Sequence, residues 1–188
     1  MSMGRDAMRE KSAWAAPETE GGGTASGTGC TLRFAPCMPE PERIVALGFR
    51  YWMIGLNNGD IGAWERAWGL YSGLFGAAGA KQAVGSLSRW VGAVGSTSCR
   101  DIEVFPECCR SFCRDECLAV SLIAACQHDT RTAARACAYA LVEASDVDKV
   151  VANARSFADA LLSLDHRLAR ESILSAPSCM RPATATMQ

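Results

Sequence analysis

The chain has no basic stripe, no long apolar run and none of the common phosphate-binding signatures. Its 19 Lys and Arg residues are interspersed with 20 Asp and Glu, giving a formal net charge of −1. Neither nucleic acid nor an anionic membrane surface is therefore an implied partner. The longest uncharged run in the patterned region, AWGLYSGLFGAAGA, covers 14 residues between Arg66 and Lys81, whereas a bilayer crossing needs roughly 20. No apolar h-region follows the N-terminus, so export is not expected. The cytoplasm is then the default compartment, and thiols stay reduced there. No phosphate loop, dinucleotide fingerprint or paired catalytic carboxylates are present, and the balance leans against an enzyme. No fixed-period repeat and no alternation of strand and helix patterns appear.

What is present is cysteine, ten in 188 residues. No C-x-x-C occurs, so the usual zinc knuckle is missing. Five of the ten fall between Pro106 and His128, in PECCRSFCRDECLAVSLIAACQH, whose second half is the most apolar glycine-free run of the patterned region. It reads as a central, largely buried helix over about residues 107–128, opened by Pro106.

The other patterned segments read as helices packed around it. Ile44, Leu47, Tyr51 and Ile54 share a face of a first helix, ended at Gly59, which suits a left-handed cap. Ile61, Trp64, Trp68, Tyr71 and Phe75 make the predicted inward row of a second helix, with Asp60 as its N-cap. Gly76 and Gly79 interrupt the chain before a third helix from Lys81 to about Val94. Residues 101–105, DIEVF, alternate briefly and should form an extended connector. Asp129 or Thr130 starts a fifth helix, and Ser145 with Asp148 resembles a capping box for a sixth. The expected fold is all-α, a compact bundle of about six helices over residues 39–172. Residues 1–38 are expected to be a disordered tail and 173–188 a short second one. Met38 is a conceivable alternative start.

On a continuous helix, Cys109, Cys113 and Cys117 would span about 80° and form one lane, with His128 within about 20° of Cys117. That lane could supply metal ligands, with Cys99, Cys126 or Cys137 brought in by the fold. It resembles the cysteine-lined helices of four-helix copper-storage proteins over about twenty residues; the remaining helices carry few thiols. Zinc, copper or an iron–sulfur cluster are the cofactors such a lane would admit, and no cofactor is the first expectation. For redox chemistry the candidates are Cys108 and Cys109, which a helix opening at Pro106 would place in its first turn, where the dipole favours thiolate. Against both stands simple packing, because reduced cysteine behaves as a small buried hydrophobe. The leading functional expectation is a non-enzymatic helical regulator or interaction module that binds another protein or itself. The alternative is a thiol-based metal or redox protein.

Overall fold

Five α-helices and one 3-10 turn account for the regular structure of residues 40–173, the part of the chain that the computed structural model describes. The expectations for the tails fall outside these residues, except that Ile173 still packs against the core. Helix α1 (Glu40–Asn58) runs into α2 (Ile61–Thr97) through Gly59, which has φ 67° as the left-handed cap requires. Helix α2 holds two of the predicted helices in one element. They meet at Gly76, whose φ of 69° and ψ of 175° lie in a region open only to glycine. Gly79, by contrast, is helical and buried.

Helices α3 (Arg114–Gln127), α4 (Arg131–Val142) and α5 (Asp148–Ser163) complete the bundle, and a 3-10 turn at Arg170–Ser172 closes it. Helix α3 packs against α1, α4, α5 and that turn, and every residue from Leu118 to Gln127 is buried. The apolar half of the cysteine-rich stretch is thus the centre of the fold, as its composition implies. Its polar half becomes helical only at Arg114. The chain makes turns and bends from Glu107 to Ser111, and Cys113 is the N-cap of α3. The reason is local: the carboxylate of Glu116 accepts the Cys113 backbone N–H at 2.7 Å, which fixes the helix start seven residues later than Pro106 suggests.

The start of α5 also differs from expectation. Val147 is its N-cap, and Asp146, not Ser145, reaches the backbone, accepting the Asp148 N–H at 3.0 Å. Glycines govern how α1 meets α2. The Tyr71 ring lies over Gly48 and the Trp64 indole over Gly55, each so close that a Cβ would stand 2.1 Å from Tyr71 Oη or 2.2 Å from Trp64 Nε1. Phe49, Trp90, Phe157 and Tyr71 form the aromatic heart beneath, with Trp90 and Phe157 stacked at 5.6 Å.

Candidate functional site

Two surfaces of the bundle are built in ways that core packing alone does not require. The first is the outer side of α2. The fully buried apolar residues of its first half are Ala63, Ala67 and Tyr71, with Leu70 and Phe75 packed half-buried against the core, so the first part of the predicted inward row is displaced sideways. Of that row only Tyr71 is fully buried; Trp64 and Phe75 are half-buried, Trp68 is 43% exposed and Ile61 66% exposed. The close approach of α1 selects small residues for the contact line and pushes the large ones to its flank. Ile61, Trp64 and Trp68 therefore form an apolar lane along two turns. Beside it, Gly69 and Gly73 are exposed, with nothing within 4 Å of a Cβ position.

The second surface is the connector between α2 and α3, residues 98–113, held by two ion pairs at the start of α3. Arg50, fully buried in the middle of α1, places its guanidinium against Glu116, with Nε at 2.6 Å from Oε1 and Nη2 at 3.0 Å from Oε2. Its remaining N–H groups donate to the carbonyls of Pro106 (3.4 Å), Cys109 (2.7 Å) and Ser111 (2.6 Å). All five donors of the guanidinium are used. Glu116 is equally saturated, because it also accepts the N–H of Phe105 at 3.2 Å and of Cys113 at 2.7 Å. The Arg50 guanidinium further lies 4.9 Å above the Phe112 ring. Next to it, Arg100 grips Asp115 in a second bidentate pair at 2.7 and 2.6 Å, and Asp115 accepts the Glu103 N–H at 2.9 Å.

The consequence is a connector without regular structure whose one side is tied down. The amides of Glu103 and Phe105, two residues apart, both turn to α3, and the Cys113 thiol donates to the Glu103 carbonyl at 3.1 Å. Burial alternates with them, Asp101 and Glu103 exposed and Ile102 buried between. The segment joins α2 to α3 without helix or strand, the connector role that the sequence predicts for residues 101–105. A cleft of about 610 Å³ runs beside it, bounded by Ile54, Asn57 and Asn58 of α1 and by residues 102–106. A second hollow of about 410 Å³ adjoins it, and Asn57 and Ile102 line both.

The thiols are dispersed. Cys108 lies in a turn and is exposed, Cys109 is half-buried with its carbonyl bound to Arg50, and Cys99 is exposed. Cys113 is the buried N-cap of α3, and Cys117 sits in that helix's first turn. Cys126 and Cys137 are buried. His128 caps the C-terminus of α3 with Nε2 3.0 Å from the Leu168 carbonyl. The lane of Cys109, Cys113, Cys117 and His128 is thus corrected: Cys109 lies off the helix and His128 beyond its end. Among the described residues no group of three or more His, Cys, Asp and Glu side chains is placed to hold a metal ion. The dipole argument for Cys108 and Cys109 also lapses, since neither stands in a helical turn. The cysteine that does sit at the helix start, Cys113, is pushed up to about 12 by burial and by the neighbouring Glu116 carboxylate. Burial likewise pushes Cys126 up to about 12.

A third hollow, of about 280 Å³, places Arg131, Arg135 and Arg155 above Cys126. Two of these arginines are already matched, Arg135 by Asp148 and Arg155 by Asp129 at 2.7 Å. Beside Arg155, the Asp129 carboxyl is held below its usual range.

Residues Arg50, Arg100, Asp115 and Glu116 carry the connector, a role that the sequence pattern assigns to none of them. The available signal was Glu116 three residues after Cys113, the spacing of a capping box, read instead as mid-helix. Among the described residues no helix is long and apolar enough to cross a membrane. Comparison with known proteins finds no matching family model, no curated protein with significant similarity and no solved structure that matches.

Proposed function

We propose that the chain is a non-enzymatic helical module that binds another protein, and that the outer lane of α2 is its contact surface. The observation that carries this reading is the exposure of Ile61 and Trp68 on one lane of α2, beside a line where the first turns of the helix bury only Ala63 and Ala67. Large side chains that pack poorly on their own fold, beside two open glycines, form a surface that a partner helix can approach closely. Trp at such a position is the residue type that most often dominates binding energy. The same reading places the chain in the cytoplasm, a reducing compartment.

Site-specific photo-cross-linking in cells tests the reading. Benzoylphenylalanine in place of Trp68 should capture a protein, and the same group in place of the exposed Arg89 should not. Adding Ile61→Lys should abolish the adduct at position 68. Equal capture at both positions, or capture indifferent to Ile61→Lys, contradicts the assignment.

A further inference from the structure

The connector carries a second interaction surface, independent of the α2 lane. Backbone N–H and C=O groups of an extended chain point alternately to its two edges. Glu103 and Phe105 spend their amides on Asp115 and Glu116, so the N–H and C=O of Ile102 and Val104 lie on the edge turned away from α3. Neither residue makes a backbone hydrogen bond among the described residues. The two are separated by about 7 Å along the chain, the repeat of a β-ladder. Alongside run the two adjoining hollows of about 610 and 410 Å³, joined at Asn57 and Ile102. The result is a trough beside a tethered segment whose Ile102 and Val104 have no backbone hydrogen-bond partner among the described residues.

We propose that this edge binds a short extended peptide by strand addition, and that the peptide is basic. Strand addition matches the geometry: main-chain pairing needs a rigid, unpaired edge, and alternate side chains need pockets beside it. Rigidity comes from the two arginine–carboxylate pairs that fix the opposite edge. Charge selects the peptide. Asp101 and Glu103 are exposed, line the trough, and make no ion pair among the described residues. The trough's cation, Arg100, is committed to Asp115 and Glu143. In a peptide hydrogen-bonded to Ile102 and Val104, the residues opposite Asp101 and Glu103 share the face of those carboxylates and would be Lys or Arg, while the alternate residues would face Ile102 and Val104. Asn57, an exposed amide at the junction of the hollows, can donate to and accept from the peptide backbone.

The test uses the full chain labelled with 15N and an acetylated, amidated Lys-Val-Lys-Val-Lys-Val hexapeptide. Saturable shift changes should appear at Asp101, Ile102, Val104 and the Asn57 side chain, and amide exchange at Ile102 and Val104 should slow at least tenfold. A ladder uses one edge of the peptide. Of two versions, one N-methylated at the three valines and one at the three lysines, at least one should therefore lose tenfold or more in affinity. The Glu-Val counterpart should bind at least tenfold more weakly. On the protein, Val104→Pro removes an N–H that the fold does not use and should cost tenfold in affinity while the circular dichroism stays unchanged. Glu103→Lys changes an exposed side chain and should do the same at low salt. The proposal is overturned by the absence of saturable shifts at millimolar peptide, by undiminished binding of both methylated peptides, by equal binding of the acidic peptide, or by unchanged affinity in Glu103→Lys. None of these outcomes bears on the α2 lane.

Discussion

Arg50 of α1 and Glu116 of α3 meet in a bidentate ion pair with neither side chain exposed, 66 positions apart in sequence. Two buried charges are costly to desolvate, and their attraction offsets that cost only when the other hydrogen-bonding positions are also filled. Here they are filled by the chain itself. Arg50 collects three carbonyls from the turn before α3, and Glu116 collects two amides. The pair therefore organises a loop that has no regular structure of its own.

Removing one partner leaves the other charged, buried and unmatched. Glu116→Ala is expected to destabilise the chain by about 3–5 kcal/mol in urea denaturation. Arg50→Lys should also be strongly destabilising, because an ammonium cannot reproduce the planar five-donor fork. A double variant, Arg50→Met with Glu116→Leu, should recover much of the loss while amide exchange in residues 105–113 stays fast.

Alkaline conditions should loosen the fold through its buried thiols. Cys113 and Cys126 are each pushed up to about 12 by burial, against an unfolded value of about 8.5. A raised folded value means that stability from the neutral thiol is fully present below about pH 8.5. It is lost as pH rises from there toward 12. Urea midpoints should therefore fall above about pH 9, less so in Cys126→Ala measured against its own value at pH 7. At pH 8, iodoacetamide should modify the exposed Cys108 well before Cys113 or Cys126.

The glycines of α2 should separate into opposite classes. Gly76→Ala forces a side chain into φ 69°, ψ 175° and is expected to cost about 1–3 kcal/mol although no atom stands in its way. Gly69→Ala lies in helix with open space around it and should stabilise by up to about 1 kcal/mol. Gly48→Ala drives a methyl into the Tyr71 ring, itself fully buried, and should be the most harmful of the three. Thermal denaturation of the three variants distinguishes them.

Trp68→Gln and Ile61→Lys should leave stability within about 0.5 kcal/mol, because neither side chain belongs to the core. A loss of several kcal/mol in either would show that the α2 lane is structural.

Much of the fold was legible where a residue type has one job. Gly59 and Gly76 break the chain where their conformational freedom is needed, and the run from Leu118 to Gln127 is too apolar to lie anywhere but the centre. Periodicity placed the aromatic row of α2 in the core because it weighs size as well as spacing. The helix is held instead by Ala63, Ala67 and the glycines of α1, a preference for closeness that spacing does not reveal. The start of α3 differs because Pro106 is a general opening signal, whereas the local box of Glu116 on the Cys113 N–H carries Cys where Ser or Thr is usual. Charged residues are read by default as solvent-facing, which hid Arg50 and Asp115 as well. The cysteine lane fell with the helix that was to carry it.

Amide hydrogen exchange, resolved by residue on the chain alone, tests the central claim most directly: the first turn of α3 fixes one edge of the connector and leaves the other open. The amides of Glu103, Phe105 and Cys113 should be protected, and those of Ile102 and Val104 should exchange near the free rate. Glu116→Gln should accelerate Phe105 and Cys113 more than Glu103, which Asp115 holds. Equal protection along residues 102–105, or fast exchange throughout them, would contradict the account.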